Sequence, residues 1–273
     1  MNTNSNTYTV VYSTILVVLV AAILSLAAVG LKPMQDENIK VETISKILTA
    51  AHLYDAEKAA NEGNSYAIDQ YGSKIIAAQI INVDGVVIDS MKTQGADIEF
   101  KIALKDQYNT MKAINDAVKN GNTEKANELK AGLQLPVYIF DVEGKTVRIV
   151  PCYGAGLWGP IWGYIALDES LDTISGTVFD HKGETPGLGA EIAKPAFYEQ
   201  FTGKKIYKNG KIELSIVKGG AKGDINGVDA ISGGTITSQA LASTMNTWLS
   251  FYDSYFKSNT PTQDMSVSYK LPN

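Results

Sequence analysis

The residues best suited to chemistry form a cluster of hydroxyls and glycines at positions 229–238, Asp-Ala-Ile-Ser-Gly-Gly-Thr-Ile-Thr-Ser. Gly233 and Gly234 lack Cβ atoms, so backbone N–H groups there can approach an anion closely. A helix N-terminus adds free N–H groups and a partial positive charge. The pattern is typical of a simple turn and helix cap, and it also fits a phosphate site to which Thr235 offers its hydroxyl.

An amphipathic helix is predicted directly after this cluster. Apolar residues recur there at steps of three or four, the spacing of a helix that packs one face on a core: Leu241, Met245, Trp248, Tyr252 and Phe256. Thr237 or Ser238 is expected to cap the helix. The cluster would then join a strand-like segment to this helix.

Two further segments stand out. Residues 154–164 place Trp158 and Trp162 among glycines and a proline, so these rings either pack in the core or form a wall beside a planar ligand. Residues 181–191 form a polar loop in which Thr185-Pro186-Gly187 favours a tight turn. Such a loop is either a plain connection or part of a site.

Composition excludes several classes of function. The formal charge is −5 and no basic run exists, which argues against a nucleic-acid partner. Cys152 is the single cysteine, so the chain alone forms neither a disulfide nor an iron–sulfur centre. The only histidines, His52 and His181, lie far apart and outside any ligand-spaced cluster. No metal site and no hydrolytic triad are therefore expected.

An uncharged apolar segment, residues 8–31, is long enough to cross a bilayer as a helix. A cleavable signal peptide is the alternative, because small residues occur at 27–30. The apolar run exceeds the usual length for a signal peptide and no lysine or arginine precedes it, which favours an uncleaved anchor. Lys32 is followed by acidic residues, so charge does not determine the orientation.

The remaining sequence predicts an α+β fold with an antiparallel sheet and flanking helices, because strand patterns cluster in the middle and helical patterns at both ends. Helices are expected at 38–61 and as a pair within 105–133. Residues 74–89 fit either a hairpin or a passage from helix to strand. A hairpin is expected at 137–150, and further strands at 164–167 and 174–179.

The cluster at 229–235 resembles the flavinylation motif Asp-x-x-(Ser/Thr)-Gly-Ala-Thr, in which a flavin transferase attaches FMN to the last threonine through a phosphoester. Asp229, Ser232, Gly233 and Thr235 match the motif. Gly234 departs from it, because the family usually has alanine there. The resemblance implies that Thr235 carries the phosphoester, with Asp229 and Ser232 serving the turn or the transferase.

All three segments, behind one anchor helix, are similar to the NqrC family, the covalent FMN-binding subunits of the sodium-translocating NADH:quinone oxidoreductase. The resemblance covers most of the chain and is weakest at 65–135. It implies cofactor contacts from Thr185, Gly187 and Leu188, with Trp158 lining the flavin. It also implies a protein that relays electrons and binds neither NADH nor quinone itself.

The resemblance further implies a single-pass protein of the bacterial inner membrane, partnered by the other members of the complex. Residues 1–7 would be cytoplasmic, 8–31 transmembrane, 32–64 a connecting helix, 65–257 a periplasmic FMN domain and 258–273 a tail. Two alternatives stay open. One is the equivalent flavin-carrying component of an Rnf-type ferredoxin:NAD complex, which shares the anchor and tethered flavin. The other is a membrane-anchored binding module without redox function.

Overall fold

The computed structural model describes residues 5–91 and 102–260. Its first element is helix α1, Asn6–Ala50. This helix is long and apolar enough to cross a membrane, and its apolar 18-residue window has no buried residue. A second compact unit begins at Ile44, within the same helix. The C-terminal tail predicted at 258–273 lies mostly outside the described residues.

The prediction of one helix over 38–61 is wrong. Helix α1 ends at Ala50, and helix α2 begins only at Ala56. His52 adopts a positive φ of 57°, which an α-helix does not tolerate. Asp55 then caps α2, because its carboxylate accepts hydrogen bonds from the N–H groups of Glu57 and Lys58. The left-handed conformation of His52 therefore marks the end of α1, and the cap at Asp55 starts α2.

Six helices and ten strands follow within the described residues. The helices are α2 Ala56–Glu62, α3 Asn64–Lys74, α4 Leu104–Lys119, α5 Thr123–Ala131, α6 Pro195–Tyr198 and α7 Thr235–Asn259. The strands are β1 Ile75–Ile81, β2 Val87–Met91, β3 Leu135–Val142, β4 Lys145–Ala155, β5 Pro160–Leu167, β6 Ile174–His181, β7 Tyr207–Lys208, β8 Lys211–Ile212, β9 Ser215–Val217 and β10 Gly227–Asp229. Short 3₁₀ segments occur at Gly189–Ala193 and Glu199–Phe201.

The central element is a six-stranded antiparallel sheet in the order β2-β1-β3-β4-β5-β6. This confirms the predicted α+β class, the hairpin at 137–150 and the two later strands. Of the two possibilities for 74–89, the hairpin is correct, since β1 pairs with β2. Two small pairs accompany the sheet: β7 with β8, and β9 parallel to β10.

Both faces of the sheet are covered. On one face, Val137 and Cys152 belong to a core that includes Trp248 of α7 and Met111 of α4. On the other face, the ring of Tyr71 from α3 meets Phe140 edge-on at 5.2 Å between centroids. Alternate residues of the strands thus point to opposite apolar layers. Burial raises the pKa of the Cys152 thiol to about 12, which makes it an inert core residue.

Two hydrogen bonds hold helix α7 on the sheet. The indole N–H of Trp248 donates to the Tyr153 carbonyl at 2.7 Å, and the hydroxyl of Tyr252 donates to the Pro136 carbonyl at 2.7 Å. Both side chains are fully buried. The predicted apolar stripe is therefore confirmed, and the position of the first turn of α7 follows from these contacts with β3 and β4.

Candidate functional site

One pocket brings the three segments together. It has a volume of about 250 Å3 and lies at the N-terminus of α7. Its walls come from Leu157 and Trp158, from the loop between Glu184 and Gly189, and from residues 233–237. Six of the nine residues predicted for the cofactor line this pocket: Trp158, Thr185, Leu188, Gly233, Gly234 and Thr235.

Thr235 is the first residue of α7 and is half-buried. Within the described part of the chain, its hydroxyl has no hydrogen-bond partner. The backbone N–H groups of residues 235–237 also lack backbone acceptors, since the first helical bond runs from the Ser238 N–H to the Gly234 carbonyl. Free N–H groups at a helix N-terminus attract an anion. A hydroxyl and an anion-binding helix end therefore share one pocket.

The predicted side-chain cap of this helix is wrong. The position before the helix is Gly234, and no side chain caps the first turn. The Ser238 hydroxyl instead accepts a hydrogen bond from the Ile231 N–H at 3.2 Å. The Thr237 hydroxyl donates to Glu184 at 2.6 Å. Because both hydroxyls are used elsewhere, the helix end keeps its N–H groups free.

The two glycines before Thr235 meet different requirements. Gly233 has a φ of +76°, a conformation that other residues adopt at a cost. Gly234 has a φ of −105°, which any residue tolerates. A Cβ at Gly234 would nevertheless lie 2.9 Å from the Cγ2 atom of Ile231. Packing against Ile231, rather than backbone conformation, therefore accounts for a glycine where the flavinylation motif has alanine.

Trp158 is 68% exposed, so the core alternative for this ring is wrong. Its neighbours on the pocket rim are also exposed apolar side chains: Leu157, Leu188 and Ile236. Trp162, by contrast, is half-buried and lies beneath the ammonium group of Lys46, 5.9 Å from the ring centroid. An exposed apolar rim around a polar helix end suits a ligand that has both a flat ring and an anionic group.

Three predicted residues do not line the pocket. Asp229 is one of them, and its carboxylate accepts a hydrogen bond from the Ala221 N–H at 2.5 Å. Gly187 has a φ of +75° and its N–H donates to Glu191 at 3.0 Å, which shapes the turn. Ser232 is exposed. None of these three residues lines the pocket, and their contribution to cofactor binding stays a prediction.

Sequence reasoning missed Glu184 as a site residue. This carboxylate is only 5% exposed and accepts two hydrogen bonds, from the Trp158 N–H at 2.9 Å and from the Thr237 hydroxyl at 2.6 Å. It thereby joins all three segments. No local sequence pattern distinguishes this glutamate from the other charged residues of the loop, because its partners lie 26 and 53 positions away.

No group of three or more histidine, cysteine, aspartate or glutamate side chains that could hold a metal occurs among residues 5–91 and 102–260. The residues that line the pocket supply hydroxyl, amide, carboxylate and apolar groups. These groups bind an organic phosphate with a ring system more readily than a cation.

Residues 156–250 match the FMN-binding domain family, which defines the class of protein. This span contains the whole pocket. The chain is also 33% identical to the NqrC component of the Na(+)-translocating NADH-quinone reductase from Haemophilus ducreyi, covering 89% of both chains. The corresponding protein of Neisseria meningitidis serogroup A is 31% identical, covering 81% of both. The chain belongs to the NqrC family of Na(+)-translocating NADH-quinone reductases.

Solved structures agree with this assignment. The crystal structure of NqrC from Parabacteroides distasonis is similar with a TM-score of 0.61 at 31% identity, covering 83% of this chain and 96% of that one. NqrC from Shewanella oneidensis gives a TM-score of 0.61 at 27% identity, covering 81% and 98%. The soluble fold is therefore that of the family.

Proposed function

We propose that this protein is an electron-relay subunit of a membrane complex that oxidises NADH, reduces quinone and moves sodium outward. It would carry one FMN esterified through its phosphate to Thr235. One observation carries the proposal: the Thr235 hydroxyl, without a partner among the described residues, lies beside the free N–H groups of α7 in the pocket that the three segments build. Family membership supplies the wider setting.

The residues of the pocket fit FMN. The N–H groups of residues 235–237 suit its phosphate, and the exposed ring of Trp158 with Leu188 suits its flat ring system. When bound, FMN supplies one- and two-electron redox chemistry that no side chain of this protein provides. The protein contributes attachment, orientation and local charge.

Attachment needs only one new bond. The Thr235 oxygen would attack the phosphorus of an activated flavin nucleotide, the leaving group would depart from phosphorus, and the threonine proton would pass to base. A flavin transferase would perform this step during maturation. A tether keeps the cofactor at the site during turnover, so no binding affinity has to be maintained.

The anchor helix suits a single-pass membrane protein. By resemblance to the family, that membrane would be the bacterial inner membrane and the flavin domain would face the periplasm. The other members of the reductase complex would supply the NADH and quinone sites. Asp229 and Ser232, which lie outside the pocket, would serve the turn or be recognised by the transferase.

Thr235→Ala is expected to abolish covalent flavin while the fold persists, because it removes only the acceptor oxygen. The matched control Thr237→Ala is expected to keep the flavin. Full-length protein matured with its transferase would be denatured, run on a gel and viewed under ultraviolet light. The tryptic peptide 223–257, which contains Thr235, should gain the mass of one FMN less one water. An unmodified peptide from natively matured protein would refute the proposal.

The redox partners need a separate measurement. Membranes containing the complex should reduce quinone with NADH at a rate that sodium stimulates. If the protein carries covalent flavin but sodium does not stimulate quinone reduction in these membranes, the Rnf-type alternative would be favoured. Absence of covalent flavin in the native protein would favour a binding module in which residues 229–238 only cap a helix.

A further inference from the structure

Glu184 is a buried residue whose carboxylate contributes to the pocket wall. One of its oxygens accepts from the Trp158 N–H at 2.9 Å, and the other accepts from the Thr237 hydroxyl at 2.6 Å. Its own N–H donates to Nδ1 of His181 at 3.2 Å. Two oxygens that both accept hydrogen bonds are characteristic of an ionised carboxylate.

Close packing holds this carboxylate in place. A Cβ at Gly156 would collide with one Glu184 oxygen, and a Cβ at Gly189 would collide with the other and with the Thr237 hydroxyl. Two glycines therefore leave room for the charged group. Because its surroundings are this tight, the carboxylate has little freedom to move away from the pocket.

Stability alone does not explain a charge at this position. Throughout the described ranges, Glu184 forms no ion pair with a lysine, an arginine or a histidine. Burying a carboxylate without a counter-ion costs free energy, even when hydrogen bonds satisfy it. Glutamine, which has a similar shape and no charge, could still accept from the Trp158 N–H without the cost of burying a charge.

We propose that Glu184 is a positioning residue that holds the Trp158 segment against the first turn of α7 and lowers the midpoint potential of the flavin. This inference rests on the proposed function. A fixed negative charge in the pocket wall repels the electrons that enter the flavin, so reduction becomes less favourable. The two hydrogen bonds keep that charge at a constant place.

Glu184→Gln is the first test, because glutamine keeps the size and the acceptor for the Trp158 N–H but removes the charge. The full-length, flavinylated protein would be titrated electrochemically while flavin absorbance is followed. We expect the midpoint potential to rise, with covalent labelling unchanged on the gel. Glu199→Gln, which removes an equal charge from a site outside the pocket, should leave the potential unchanged.

Thr237→Val provides a second test that keeps the carboxylate. Loss of the Thr237 hydroxyl removes one hydrogen bond to the Glu184 carboxylate, so its negative charge acts more strongly on the flavin. The midpoint potential should therefore fall, whereas Glu184→Gln should raise it. An unchanged potential in labelled Glu184→Gln, or equal shifts in Glu184→Gln and Glu199→Gln, would overturn the inference and leave the proposed function intact. Loss of label in folded Glu184→Gln would also overturn it. Absence of covalent flavin in the unmodified protein would defeat the proposed function instead.

Discussion

At the scale of single residues, the turn before Thr235, the proposed flavin acceptor, is tightly packed. Gly234 is buried, with Ile231 on one side and the backbone of Leu188 on the other. The motif that the turn resembles usually has alanine at this position. The protein therefore combines a smaller residue at 234 with a β-branched side chain at 231.

Gly234→Ala is expected to lower the free energy of unfolding by about 1 kcal/mol and to retain covalent flavin. The new methyl group fits the backbone conformation but crowds Ile231, and overpacking of this kind is destabilising. Urea unfolding followed by tryptophan fluorescence measures the cost. Ile231→Ala should reduce this cost when the two changes are combined, because the closest contact, with the Cγ2 atom of Ile231, is removed. An additive double variant would contradict this explanation.

How much of the site can be predicted depends on the range of its contacts. Thr235, Gly233 and Gly234 are adjacent in sequence, so their types and order already indicate an anion site before a helix. Glu184 contacts partners 26 and 53 positions away, and no local pattern encodes such pairs. The exposure of Trp158 could not be predicted from the sequence either, because a tryptophan beside glycines fits both a core and a surface position.

At the scale of elements, helix α7 determines where the pocket lies. Its first turn carries Thr235, and its following turns are fixed on the sheet through Trp248 and Tyr252. The sequence predicted this helix well because its apolar stripe is long and regular. The single helix expected at 38–61 failed because the positive φ of His52 and the cap at Asp55 are single-residue features within an otherwise helical composition.

Tyr252→Phe is expected to lower the free energy of unfolding by about 1 kcal/mol. The change removes one buried hydroxyl and leaves the Pro136 carbonyl without that donor, while the ring still packs. Urea unfolding measures the difference. Tyr153→Phe is the matched control, because the Tyr153 hydroxyl has no partner among the described residues and should change stability by less than about 0.5 kcal/mol. Equal losses in both variants would argue against the bond to Pro136.

At the scale of the whole molecule, the last turns of α1 belong to the flavin domain. Ile44, Ile47 and Leu48 are fully buried, whereas the earlier part of the helix is almost entirely exposed. The Lys46 ammonium also pairs with the Asp180 carboxylate at 2.5 Å. The sequence predicted a connecting helix at 32–64, but composition alone does not show which of its turns are packed.

Two truncations therefore separate anchor from domain. A chain that starts at residue 43 should fold, remain soluble without detergent and accept flavin, because it keeps every buried residue of α1. A chain that starts at residue 52 loses Ile44, Ile47 and Leu48. Each buried side chain of this kind contributes about 1.5–3 kcal/mol, so the loss is comparable with the total stability of a domain.

Thermal unfolding of the two chains, followed by circular dichroism, checks this expectation. The longer one should unfold cooperatively, and the shorter one should be largely unfolded or melt at a far lower temperature. Equal melting temperatures would mean that the end of α1 is only a tether. A poorly folded chain from residue 43 would mean that the apolar part of α1 contributes to the domain. Under the expected result, the flavin domain begins where the side chains of α1 become buried. The length of the apolar stretch does not define that start.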